Sequence, residues 1–90
     1  MPVEHDPQSR RFRVPPDQGD AHLDYRVVDE STLDFHSTFV DPALRGRGLA
    51  AEVVRAALDD ARARGKRVIP SCSYVRTFVR RHPEYRDLVG

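Results

Sequence analysis

Apolar and polar residues alternate along the first half of the chain, and the period then changes. Ala21, Leu23, Tyr25 and Val27 fall on one side of an extended segment, with His22, Asp24 and Arg26 on the other, as in a half-buried antiparallel strand. Arg11 to Val14 is a shorter alternating run, separated from the first by the turn residues Pro15 to Asp20. After a turn at Asp29-Glu30-Ser31, Thr32 to Val40 reads as a third strand with Leu33, Phe35 and Phe39 on one face, ended by Asp41-Pro42. Connections this short predict an antiparallel meander. Ala50, Val53, Val54, Ala57, Leu58 and Ala61 then recur at helical spacing, predicting a helix from about Gly48 to Arg64 that Gly65 stops. Val68-Ile69 is a short apolar strand ended by Pro70; a crossover helix places it parallel to the third strand by a right-handed connection. Ser73 to His82 predicts a second helix with Tyr74, Val75, Phe78 and Val79 as its apolar stripe and Pro83 beyond its end. The expected fold is α/β (α+β): three antiparallel strands, a helix, one parallel strand and a short C-terminal helix. Residues 1–9 read as a loose tail and 10–90 as one domain.

Composition narrows the function. Ninety residues allow one small domain with a thin core. One cysteine excludes an intrachain disulfide framework and a multi-cysteine zinc site, and no histidine pair has metal-ligand spacing, so no metal is expected. No apolar run approaches the roughly 20 residues that span a bilayer, and the polar N-terminus lacks the apolar core of a signal peptide. A cytoplasmic protein without a membrane partner is expected. Residues 1–44 carry 4 basic and 9 acidic side chains, residues 45–90 carry 11 and 5; the halves are net −5 and +6 and give the overall +1. A basic second half suggests an anionic ligand there, although a solvated surface could carry the same asymmetry.

The segment from Val40 to Ala50 locates that ligand. It joins a strand end to a helix start, where first-turn amides lack intrahelical acceptors and the helix dipole is positive. Acidic residues usually occupy this end; here Arg45 and Arg47 do, with no Asp or Glu from Arg45 to Ala51. Gly46 and Gly48 leave the backbone open to close approach. Val40, Arg45, Gly46, Arg47, Gly48, Leu49 and Ala50 together read as a phosphate or pyrophosphate cradle. It is not a P-loop, which needs a Gly-Lys-Ser/Thr end, nor a three-glycine dinucleotide fingerprint. A glycine-rich turn with solvated arginines is the alternative.

Arg45-x-x-Gly48-x-Ala50 resembles the acetyl-CoA-binding motif, Arg/Gln-x-x-Gly-x-Gly/Ala, of the Gcn5-related N-acetyltransferases (GNAT). The run Ile69-Pro70-Ser71-Cys72-Ser73-Tyr74-Val75 and then His82-Pro83-Glu84-Tyr85 is similar to the small, single-domain YjdJ-type branch. The likeness covers about residues 11–88. It implies a minimal GNAT-like fold and acetyl-CoA as co-substrate. The CoA pyrophosphate would lie on the Arg45–Ala50 loop, and the pantetheine would run between the third and last strands where they splay apart. Transfer would be to an amine by direct attack on the thioester. Larger members carry helices where this chain has only the turn from Val14 to Ala21, so the acceptor site is short of walls and a peptide or protein amine suits it better than a small molecule.

Cys72 is the candidate catalytic residue: it precedes the second helix, whose free amides favour a thiolate, with Arg76 one turn on. It could take the acetyl group covalently or simply pack beside the thioester. His36 could be a general base if it faces the groove, and Tyr74 or Tyr85 could protonate the leaving thiolate. Arg76, Arg80 and Arg81 form a solvated edge, one of which could meet the 3′-phosphate of CoA. The motifs favour an acyltransferase. A non-catalytic acyl-CoA-binding or protein-interaction domain is the alternative. Nucleic-acid binding is disfavoured by the near-zero net charge and by the lack of strand aromatics among the arginines.

Overall fold

The computed structural model describes residues 3–89, so Met1, Pro2 and Gly90 of the expected tail and domain lie outside the described residues. Five strands run in the order β1 (Glu4–Asp6), β2 (Arg11–Arg13), β3 (Ala21–Asp29), β4 (Thr32–Val40) and β5 (Arg67–Ile69). The first four are antiparallel neighbours, and β5 pairs parallel to β4 through Thr32↔Arg67, Leu33↔Val68 and Asp34↔Ile69. Helix α1 (Leu49–Ala63) connects β4 to β5; α2 (Ser73–Arg81) and a 3₁₀ segment (Pro83–Leu88) follow. Val89 bridges back to Val68, parallel to β5.

The expected meander and crossover are present, with one strand more than expected. The segment read as a loose tail contains β1, which the sheet holds through Glu4↔Arg13 and Asp6↔Arg11. Arg13 lies 3.2 Å from Asp6 and 3.4 Å from Glu4. Between them His5 stacks on Phe12 at 4.1 Å and bonds the Tyr25 hydroxyl at 2.7 Å. A polar strand is stable here because its charges pair across the hairpin while its one ring faces the core.

The core forms between one sheet face and the helices. Val53, Val54, Ala57, Leu58 and Ala61 of α1 are fully buried with Leu23 and Phe35 of the sheet and Val75 of α2. Three expected core positions are exposed instead, Phe39, Tyr74 and Val27. For Phe39 the cause is a bulge. Asp24 pairs with Ser37 but Tyr25 with Phe35, so His36 is the extra residue. An inserted residue flips every later side chain to the opposite face. Leu33 and Phe35 therefore point inward, whereas Phe39 turns outward, 5.5 Å from the His22 ring. Val27, expected inward, is also exposed, past a second irregularity between Val27 and Asp29.

Candidate functional site

The pairing of β4 with β5 stops at Asp34. The next carbonyl, Phe35, accepts from the Cys72 amide at 3.0 Å, where the chain has left β5 and is about to enter α2. From His36 to Val40 that edge of β4 faces the start of α2 rather than a strand. Thr38, Val40, Arg45, Ala50 and Tyr74 line the resulting groove, a cavity of about 250 Å³. A second cavity of about 200 Å³ continues it over the loop, with Gly46, Gly48 and Leu49 added to its wall. Tyr74 departs from the expected apolar stripe because it lines this groove and is exposed there.

The loop is built to stay open. Pro42–Leu44 forms a 3₁₀ turn whose start is fixed by Asp41, the carboxylate accepting from the Ala43 amide at 2.9 Å. The Asp41 amide donates to the Asp20 carbonyl at 2.8 Å, so the β2–β3 turn braces the loop from behind. Gly46 and Gly48 have φ of +89° and +74°, the left-handed region that side chains resist, and a Cβ at either would meet nothing within 4 Å. Open backbone therefore faces the groove just where Gly48 caps α1. Leu49 is buried, so it offers its amide while its side chain anchors the helix. Among the described residues Arg45 makes no ion pair, which leaves its guanidinium free for an anion. Arg47 lines a different cavity, of about 550 Å³, with Asp17, Gln18 and Glu52. The structure thus gathers Val40, Arg45, Gly46, Gly48, Leu49 and Ala50 in one groove and sets Arg47 on its other side. Two left-handed glycines, free first-turn amides and an unpaired arginine fit a pyrophosphate.

Cys72 lines neither cavity but sits against Thr38, which lines the first, its Sγ 3.4 Å from Thr38 Oγ1. Partial burial pushes its thiol pKa up. Hydrogen bonding from the Thr38 hydroxyl and from the amides of Val75, Tyr74 and Thr38 outweighs this and holds it below the ordinary thiol value. Arg76, expected to assist the thiolate, instead donates to the carbonyls of Pro70 at 3.1 Å and Ser71 at 2.7 Å, and so fixes the turn that carries the cysteine.

The other candidates separate clearly. Tyr85, in the 3₁₀ segment, is buried, its hydroxyl donating to Asp59 of α1 at 2.7 Å, which is a packing role. His36 is exposed on the bulge. His22 pairs with Asp20 at 2.6 Å, and His82 donates through Nδ1 to the Phe78 carbonyl at 2.8 Å. Sequence reasoning missed Thr38 and Asp34. Asp34 is 4% exposed on the sheet face away from α1, its Oδ2 accepting from Arg26 at 2.7 Å while Oδ1 is buried without a partner. Burial pushes its carboxyl up, but the nearby Ser71 hydroxyl and the Arg26 guanidinium hold it below the usual range. The available signal was Arg26 and Asp34 at paired positions of one hairpin. No group of three or more His, Cys, Asp or Glu among the described residues could hold a metal ion, and no helix among them is long and apolar enough to cross a membrane.

Comparison with known proteins gives concordant results. The family model described as GCN5-related N-acetyl-transferase matches residues 11–88. Protein NATD1 of Danio rerio is 33% identical over 97% of this chain and 83% of its own length. The Bos taurus protein of the same name is 36% identical over 90% and 74%. The solution structure of a GCN5-like protein from Staphylococcus aureus superposes with a TM-score of 0.77 over 100% of this chain and 88% of that one, at 23% identity.

Proposed function

The chain belongs to the GCN5-related N-acetyltransferase family, and from that premise we propose that it moves an acetyl group from acetyl-CoA to an amine. The single observation that carries this reading is the groove that opens where β4 leaves β5 and runs from the glycine loop to Thr38, against which Cys72 sits. On this reading the pyrophosphate lies against the amides that follow Gly48 and against Arg45. The pantetheine lies along β4 past Val40 and Thr38, and the thioester lies beside Cys72. We assign the chain to the small YjdJ-type branch on its Ile69–Val75 and His82–Tyr85 segments, and to the cytoplasm, where acetyl-CoA is made and thiols stay reduced.

The reaction needs an unprotonated amine nitrogen to attack the thioester carbonyl carbon. The carbonyl electron pair moves onto oxygen, which requires a hydrogen-bond donor beside the thioester. Collapse of that intermediate breaks the carbon–sulfur bond. The CoA thiolate takes a proton, with Tyr74 at the groove rim as a donor of suitable acidity, and the new amide loses one to solvent. Alternatively, the Cys72 thiolate attacks first, CoA leaves, and the amine then attacks the acetylated cysteine. Its lowered pKa supports this second route by raising the thiolate fraction at neutral pH. The uncovered sheet face beside Asp34 and His36 leaves room for an amine carried on a peptide or protein.

Intact-protein mass spectrometry after incubation with acetyl-CoA, with and without a lysine-containing peptide, tests this. The expected result is acetylated peptide, with an acetyl mark on Cys72 that the peptide removes if the covalent route operates. Absence of acetyl transfer to any of a panel of amines, despite acetyl-CoA binding, would leave a non-catalytic acyl-CoA-binding domain.

A further inference from the structure

The cavity of about 550 Å³ on the other side of the glycine loop has a volume typical of small-molecule sites. Two walls enclose it. The turn before β3 supplies Asp17 and Gln18, and the loop with the first turn of α1 supplies Leu44, Arg47, Leu49 and Glu52. These walls are held in register. The amides of Gln18 and Gly19 donate to the carbonyls of Pro15 at 2.9 Å and Pro16 at 3.2 Å, which closes the turn. Gly19 lies so close on Leu44 that a Cβ would run into Leu44 Cδ1. The Asp41 amide joins loop to turn through the Asp20 carbonyl at 2.8 Å. The cavity is therefore preformed.

Its charges are uncommitted. Asp17, Arg47 and Glu52 make no ion pair among the described residues, with one another or with any other group. Asp29, Asp41 and Asp59 also lack an ion pair, but each accepts a hydrogen bond, from Ser31, Ala43 and the Tyr85 hydroxyl. Glu52 has no such relief: its Oε2 is buried without a partner, which is costly for a carboxylate. A cation seated beside Glu52 would offset that cost. Two carboxylates against one guanidinium oppose a polyphosphate, which separates this cavity from the anion loop. The same three charges match a ligand with one anionic and two cationic groups. Leu44 and Leu49 give an apolar base for a methylene chain between them, and the Gln18 amide can bond to either end.

We propose that this cavity binds a free dibasic amino acid. Arg47 takes the α-carboxylate through its planar fork, which matches a carboxylate in geometry. Asp17 and Glu52 take the two cationic groups, and the methylene chain lies over Leu44 and Leu49. Thr38, at the far end of the groove, does not line this cavity. The amino acid held here is therefore a second small molecule and not the amine that is acetylated. Leu44 and Leu49 also line the cavity over the glycine loop, so the two sites share a wall.

The test is an amide chemical-shift titration of the full chain with L-lysine, without acetyl-CoA. The comparison ligands are 1,5-diaminopentane, which lacks the carboxylate, and L-norleucine, which lacks the side-chain amine. The expected result is a saturable shift at Gln18, Gly19 and Arg47 to Glu52. Each comparison ligand, and L-lysine on Arg47→Gln or Glu52→Gln, is expected to bind at least about 10-fold more weakly, as loss of one charge-assisted contact implies. No saturable shift at millimolar L-lysine, or shifts confined to other segments, overturns the proposal. So does either comparison ligand binding as tightly as L-lysine, or an affinity unchanged in either variant. Thermal unfolding of each variant without ligand separates lost recognition from lost folding. The acetyl-CoA reading stands or falls separately, because no step of this titration involves acetyl-CoA.

Discussion

An Asn and Asp pair at position 48 tests the anion loop by charge alone. Gly48 has φ +74°, and a Cβ there would meet nothing within 4 Å, so a side chain has space but points into the groove. Alanine in this conformation costs about 1 kcal/mol of backbone strain. Asn and Asp tolerate it better and have nearly the same shape. They differ in charge beside a helix N-terminus, where a carboxylate stabilises the free protein by about 0.3–1 kcal/mol. With a pyrophosphate in place the same carboxylate faces a like charge. At about 5 Å and an effective dielectric of about 20, each pair of unit charges repels by about 3 kcal/mol, which is roughly a 100-fold loss of affinity or more. Gly48→Asp should therefore melt no lower than Gly48→Asn without ligand, yet gain far less from acetyl-CoA. In a thermal-shift titration, ligand at 100 times its dissociation constant adds about 2.7 kcal/mol, or about 10–20 °C for a domain of this size. The unmodified chain should show that rise. Gly48→Asn should show a reduced one, and Gly48→Asp almost none at the same ligand concentration. Equal ligand-induced shifts for Asn and Asp would refute the placement of a phosphate group at this loop.

Three further outcomes follow from the same geometry. Gly19 has φ +101°, and a Cβ there would run into Leu44 Cδ1; Gly19→Ala should cost about 1–3 kcal/mol in chemical denaturation and weaken acetyl-CoA binding, because Leu44 leads into the loop. The Cys72 thiol is held below its ordinary pKa chiefly by Thr38 acting against burial, so the pH at half-maximal alkylation rate should lie below that of a free thiol and rise in Thr38→Val; no change in that variant would remove Thr38 from the account. Asp34 has its pKa depressed in the folded state, so its contribution is present above the unfolded carboxyl value, near pH 4, and is lost as pH falls through the folded value. Asp6 and Asp29 are depressed in the same direction by the Ser9 and Ser31 amides. Stability followed by denaturant titration should thus fall on acidification below about pH 4, less steeply in Asp34→Asn.

Sequence periodicity reached the long elements and the loop because each has a physical signal that repeats or clusters. Helix α1 has six apolar positions on one stripe, and the loop has two glycines and two arginines where acids are usual. What stayed hidden depends on pairing between distant residues. The bulge at His36 leaves no local mark, yet it decides that Phe39 faces outward and that Thr38 and Val40 line the groove. Strand β1 is three residues long and mostly charged; only the complementarity of Glu4 and Asp6 with Arg11 and Arg13 could have disclosed it. Tyr74 fits the apolar stripe of α2 by spacing, and its exposure follows from the gap between two helices, a tertiary fact. Arg76 looks like a thiolate partner by its distance along the chain, but nearby carbonyls take its donors.

The central claim is that one continuous groove, from the loop at Arg45–Ala50 to Thr38 beside Cys72, holds acetyl-CoA. Amide chemical-shift mapping during an acetyl-CoA titration addresses it most directly, since it reports where as well as whether the ligand binds. The account predicts saturable shifts concentrated at Val40 to Ala51 and at Cys72 to Val75, with β1 and β2 unmoved. Shifts confined to the open sheet face, or none at millimolar acetyl-CoA, would contradict it.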